Sequence, residues 1–350
     1  MQIPFVCFLT LSTLVFSQIL TAATTLTPGD NASALTALTA GLNNSILGIP
    51  EPPQGFDLKY EIGGPKLRIT SCLMNTIAAL KELALGDWDG KIIDGTEYKL
   101  DNYPEVSIII TTPRRKRNVQ VRFVLWAICL GVYEMIGERR FEFAQFEMSW
   151  EGQILGWVHV VNHPLGAVLT IEERQADQTL GLGNKSATLL SANRTIALVP
   201  TNITNVLAVD NAGDPAEARL NTRFGPYGHT LGIYDVFVPI MSGLTDMAKY
   251  PSTHQSDGMI MAIEGFKGFI CILPAMPWRT SPPFMEYGWV IRTIARIPTY
   301  MLEQGRFGEI SIIIAVDGAN IGVGRLSSGP SGSDCPIDAS LPASSGVAES

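Results

Sequence analysis

The stretch RRFEFAQFEMSWEGQILGW at residues 139–157 and the stretch GRFGEISIIIAVDGANIGV at residues 305–323 share their punctuation. In each, an Arg-Phe pair is followed eleven residues on by an acid-Gly dipeptide, Glu151-Gly152 or Asp317-Gly318. A further glycine follows four residues later, Gly156 or Gly322. One displacement of 166 positions relates the two stretches without a gap, and it also pairs Val124 with Val290, Ile128 with Ile294 and Met135 with Met301. Turn residues recur cheaply because bends demand Gly and Asp everywhere, but conserved spacing does not. The register therefore predicts an internal duplication.

The local patterns agree with it. QFEMSWE alternates Phe146, Met148 and Trp150 against Glu147, Ser149 and Glu151, whereas EISIIIAV is nearly continuous and reads as a strand covered on both faces. Glu151-Gly152 and Asp317-Gly318 then read as hairpin turns, and Gly156 and Gly322 as a bulge or a close approach. Upstream, FVLWAICLGVYEMIG reads as a buried helix ending near Gly137. Its counterpart, around Arg292 and Arg296, is expected to start at Ser281-Pro282, to turn one side to water and to kink at Pro298. Further upstream, LRITSCLMNTIAALKELA and the shorter YDVFVPIMSGLTDMA read as helices, EVSIIITT and KGFICILP as strands, and FDLKYEIGGP and RLNTRFGP as strands ending at Gly-Pro.

The expected fold is α+β: two pseudo-repeated β-α-β-α-β-β halves forming mixed or antiparallel sheet with helices packed on it. Residues 55–161 make the first repeat and residues 216–326 the second. Residues 162–215 between them read as an inserted β-rich segment, and residues 327–350, rich in Ser, Gly and Pro, as a disordered tail.

The ends of the chain bear on compartment. Residues 1–23 carry no charge and run mostly apolar from Pro4 to Leu20 before Thr21, Ala22 and Ala23, which reads as a secretory signal peptide; residues 24–54 read as a polar segment. Asn31, Asn43, Asn184, Asn193 and Asn202 each open an N-x-[ST] sequon, three of them inside the insert. With Cys7 in the signal, Cys72, Cys129, Cys271 and Cys335 remain, an even count open to two disulfides in any of three connectivities. Cys129 lies in an apolar run and reads as a buried thiol. Cys335 lies in the loose tail and reads as its pin; its partner stays open, with Cys72 favoured. The tail ends without the apolar stretch of a lipid-anchor signal.

A net charge of −8 removes the electrostatic basis for binding nucleic acid or anionic lipid, so neither a nucleic-acid partner nor a stable membrane anchor is expected. The one basic run, PRRKRN at 113–118, reads as a solvated loop, with processing after Lys116-Arg117 as the alternative. No catalytic, cofactor or metal-ligating set emerges. There is no G-x-S-x-G elbow, and LGLGNKSAT at 180–188 lacks phosphate-loop spacing. His159 and His163 stand too far apart on an extended segment to share a metal, and His229 and His254 belong to no motif. The carboxylates Asp87 and Asp89, which flank Trp88, and the related pair Glu151 and Asp317 sit where turns use acids. Trp126, Trp150 and Trp157 fall on core elements.

Residues 96–161, which include YPEVSIIITTPRRKRNVQVRFVLWAICLGVYEMI and RFEFAQFEMSWEGQILGWVHV, resemble a segment of secreted proteins of filamentous fungi that carry no assigned function. That resemblance implies export from a fungal cell and transfers no catalytic residue. Two functions then compete. One is a secreted glycoprotein that binds an extracellular ligand, in a groove between its halves, or serves as a structural protein. The other is a carboxylate-dependent glycoside hydrolase acting on extracellular polysaccharide. Paired carboxylates in an aromatic-lined cleft would mark the enzyme; carboxylates on hairpin tips would mark the binder.

Overall fold

A computed structural model describes residues 45–47, 51–113, 116–162, 205–208 and 214–329. The signal segment, all five sequon asparagines, His163 and Cys335 lie outside the described residues, as do most of the polar N-terminal segment, the insert and the tail.

The first half runs β2 (Phe56–Lys66), α1 (Ile69–Leu85), β3 (Lys91–Ile93), β4 (Thr96–Lys99), β5 (Val106–Thr111), β6 (Asn118–Gln120), α2 (Val121–Gly137), β7 (Glu142–Trp150) and β8 (Gln153–Asn162). The second runs β10 (Leu220–Thr230), α4 (Ile233–Met247), β11 (Met259–Ala262), β12 (Gly268–Pro274), α5 (Tyr287–Glu303), β13 (Gly308–Val316) and β14 (Ala319–Ser328). Three short elements precede the halves: β1 (Ser45–Leu47) ahead of the first, and β9 (Asn205–Ala208) and α3 (Pro215–Arg219) ahead of the second.

The duplication is architectural. The bounds of α2, β7 and β8 become those of α5, β13 and β14 by adding 166, and those of β2 become those of β10 by adding 164. The sheets carry the same order, β2-β7-β8-β5-β4 and β10-β13-β14-β12-β11, with antiparallel pairing throughout. Irregularities in the ladders coincide as well, between Met148 and Ser149 in one hairpin and between Ile314 and Ala315 in the other. At the hairpin tips Glu151 and Asp317 have φ of 49° and 50°, followed by Gly152 and Gly318 at 76° and 79°. Trp150 and Val316 thus end equivalent strands.

Each sheet gains a sixth strand from the other half's leader. β1 pairs parallel with β11 of the second half, and β9 pairs parallel with β4 of the first. This reciprocal loan makes both sheets mixed, and it places strands in segments read from sequence as a polar leader and an insert.

Helices of both halves pack between the sheets, α1 against α4 and α5, and α4 against α2 and α5. Burial follows. Leu73, Leu80, Phe146, Met148, Ile240 and Ile294 are all within 0–2% exposure, because each helix meets its own sheet on one side and a helix of the other half on another. Volume is balanced locally: Gly131 on α2 faces Phe146, whose ring would lie 2.4 Å from an added Cβ. The equivalent positions hold Ile297 and Ile312, both buried.

Several expectations need correction. The helix of the second repeat begins at Tyr287 and not at Ser281-Pro282; the Pro282-Pro283 peptide is cis in the turn before it. It continues through Pro298 to Glu303. Its Arg292 does not face water, because a charged cluster from α1 and α3 covers it. On β13, Ser311 and Ile313 are only half-buried, so the face away from the helices is partly open. Cys72, the favoured partner of Cys335, is a buried free thiol, as is Cys129. Burial raises both to about 12, so neither thiol is reactive. Cys271 is the disulfide-bonded one. With Cys72 and Cys129 both free, its partner lies outside the described residues.

Candidate functional site

The carboxylates singled out from the sequence stand apart. Glu151 and Asp317 occupy the tips of hairpins in different sheets, and Asp317 pairs with Arg219 at 2.6 Å. The Arg219 guanidinium holds its carboxyl below the ordinary range. Asp87 accepts from the Asp89 amide at 3.2 Å, and Asp89 meets Arg122 at 3.2 Å, in an exposed turn. Trp126 is fully buried, Trp157 donates to Glu147 at 3.3 Å, and Trp150, about a third exposed, donates to the Gln54 carbonyl at 3.0 Å. His159 is buried beside the Thr111 hydroxyl, 2.9 Å from its Nε2. Burial lowers its pKa to about 4. His229 and His254 are exposed. Among the described residues no group of three His, Cys, Asp or Glu side chains is arranged to hold a metal, and no helix is long and apolar enough to cross a membrane.

Where the halves meet, a cleft of about 390 Å³ opens between α1 and α5. Met74, Ile77 and Ala78 of α1, Leu100, and Ala295 of α5 give it an apolar floor. Phe224 from β10 and Tyr300 from α5 form one wall, with ring centroids 5.0 Å apart and planes inclined by 37°. The rim is polar: Lys81, Thr222, Arg296, Thr299 and Glu303.

A charged cluster closes one end. Asp214 caps α3, accepting from the Ala216 amide at 2.9 Å, and Pro215 follows it in the first turn, so the five-residue helix presents Glu217 inward. Lys81 Nζ donates to Glu217 Oε1 at 2.8 Å, Arg296 donates to its other oxygen, and Arg292 Nη2 donates to Asp214 at 2.7 Å. Arg296 Nη1 also donates to the Leu220 carbonyl and the Thr222 hydroxyl, each at 3.3 Å. Burial works against ionising Glu217, yet Lys81 and Arg296 prevail and hold its carboxyl below the usual range. These residues escaped the sequence reading. Their only trace in the sequence is a pair of arginines one turn apart on an otherwise apolar helix, a pattern that a solvated face also produces.

The pseudo-symmetric place, between α4 and α2, is occupied by a side chain. There Tyr133 stands where Thr299 stands, Ser242 where Ala78 does, and Val238 where Met74 does, by the same displacements. The Tyr133 side chain is buried, its hydroxyl donates to the Val238 carbonyl at 3.0 Å, and it also meets the Ser242 hydroxyl. One junction of the duplicated scaffold is thus plugged by its own side chain, and the other is open.

No protein-family model matches the chain, and no curated protein matches it. Among solved structures, the tandem DUF26 ectodomain of the Arabidopsis thaliana cysteine-rich receptor-like protein PDLP8 is similar at 8% identity and a TM-score of 0.20. The alignment covers 77% of this chain and 97% of that one. A likeness at that level carries no inference about this chain.

Proposed function

We propose that the protein is a secreted, non-catalytic binding protein that holds a small amphipathic ligand in the cleft between its halves. The observation that carries this reading is the asymmetry of the two junctions. A scaffold able to fill such a space with Tyr133 leaves the equivalent space open, floored by apolar side chains and ended by a few placed polar groups, as small-molecule sites are. Export is supported by the apolar N-terminal segment, the sequons and the disulfide at Cys271, a bond that persists in oxidising compartments. The competing hydrolase draws no support from Asp87, Asp89, Glu151 or Asp317, which stand in turns and not in the cleft.

The test transplants the plug. Ala78→Ser with Thr299→Tyr copies the closed junction into the open one. A thermal-shift screen with small aliphatic and aromatic amphiphiles should find compounds that raise the Tm of the native protein but leave the double variant unchanged. Compounds that stabilise both proteins equally, or none that stabilise the native one, would refute the reading.

A further inference from the structure

The closed junction also describes what the open one lacks. Tyr133 presents a phenol ring, buried to 8% exposure, whose hydroxyl reaches a main-chain carbonyl of the facing helix at 3.0 Å. Among the positions lining the cleft, Thr299 for Tyr133, Ala78 for Ser242, Ala295 for Cys129 and Thr222 for Leu58 are smaller than their counterparts, whereas Met74 for Val238, Lys81 for Thr245, Arg296 for Leu130 and Glu303 for Gly137 are larger. What Thr299 withholds in place of Tyr133 is a ring with a hydroxyl.

Other differences between the junctions point the same way. Phe224 and Tyr300, the packed aromatic wall, replace Tyr60 and Glu134, so aromatic surface was gained on the side that lost its internal ring. Aromatic rings attract one another through offset or tilted contacts beyond the area they bury. Arg296 replaces Leu130, and its guanidinium, fixed by Glu217, Thr222 and the Leu220 carbonyl, stands at the polar end where a ring face or an acceptor substituent would lie. The volume of about 390 Å³ exceeds a single ring and suits a fused or substituted one.

Resting on the binding reading of the cleft, we propose that its ligand is a planar aromatic molecule bearing a hydroxyl, seated between α1 and α5 as Tyr133 is seated between α4 and α2, with the hydroxyl donating to the Met74 carbonyl. Recognition of the hydroxyl distinguishes this site from a general apolar slot, because a donor lost from a buried hydrogen bond leaves a desolvated group without compensation.

Calorimetric titration of the full chain with 2-naphthol, 2-methoxynaphthalene and 1-decanol tests this. The expected result is one site for 2-naphthol, at least tenfold weaker binding of the other two, and loss of 2-naphthol binding in the Ala78→Ser, Thr299→Tyr variant. Decanol binding as tightly as 2-naphthol would overturn the aromatic class, and 2-methoxynaphthalene binding as tightly would overturn recognition of the hydroxyl; both outcomes leave a ligand-binding cleft standing. Absence of 2-naphthol binding to the native protein would also overturn the class, while aliphatic hits in the thermal-shift screen would keep the cleft. Undiminished 2-naphthol binding by the plugged variant would overturn the site itself. Circular dichroism of that variant, unchanged from the native protein, separates plugging from misfolding.

Discussion

Arg139 follows α2 with φ of 55°, a left-handed conformation that disfavours a side chain, and the equivalent residue after α5 is Gly305 at 66°. The second half thus supplies the residue the first half lacks. Arg139→Gly is expected to stabilise the protein by about 0.5–1 kcal/mol, read from the urea midpoint, because relief of the left-handed strain outweighs the added freedom of the unfolded chain. His159 makes the folded protein sensitive to acid. Its pKa falls from 6.5 to about 4 in the folded protein because burial penalises the charged ring. The unfolded state therefore binds more protons between those values, so the contribution to stability is complete above about pH 6.5 and is lost as pH falls toward 4. The loss amounts to about 3 kcal/mol. Denaturation midpoints of His159→Gln should lack that slope; an unchanged slope would place the acid sensitivity elsewhere. The Cys72 and Cys129 thiols should resist alkylation in the native state, because burial raises both to about 12.

Helix α2 lies close on β7 only because Gly131 admits the Phe146 ring. Gly131→Ala should cost about 1–3 kcal/mol by overpacking. Copying the other half with Gly131→Ile and Phe146→Ile should recover part of that loss, since Ile297 against Ile312 is the second half's answer to the same volume. A chemical-denaturation cycle over the native protein, Gly131→Ile, Phe146→Ile and the double variant checks it, and additive losses would contradict it. Glu217 on α3 joins Lys81 of the first half to Arg296 of the second, so Glu217→Ala leaves cations facing one another and should cost about 3 kcal/mol. The helices and hairpins of both halves were legible because their turns demand Gly and Asp at set positions, and because the strands either alternate, as QFEMSWE does, or run apolar, as EISIIIAV does. The start of α5 was misread because Ser281-Pro282 imitates a cap chemically while the helix waits for Tyr287. Arg292 and Arg296 looked solvated because the acids that bury them come from α3, some seventy-five residues earlier in the chain.

Across the whole molecule, the halves are tied by β1 and β9, lent in opposite directions, and by helices that share one interior. Neither loan could be read from sequence, because a strand of three or four residues has no periodicity to show and its partner sits in the other half. The cleft was legible only as an expected groove between repeats. Its walls depend on which side chain of each pseudo-equivalent pair is the larger, and that comparison needs α1 aligned with α4 and α2 with α5 at the residue level. One junction is open because it lacks the ring that fills the other. Ligand stoichiometry tests it most directly, measured by titrating 2-naphthol into three proteins. These are the Ala78→Ser, Thr299→Tyr variant, the native chain, and a Tyr133→Thr, Ser242→Ala variant in which the closed junction is opened. No site, one site, and one site plus a second, weaker one without the aromatic wall and Arg296 are predicted in that order; a stoichiometry that does not follow the plugs would refute this.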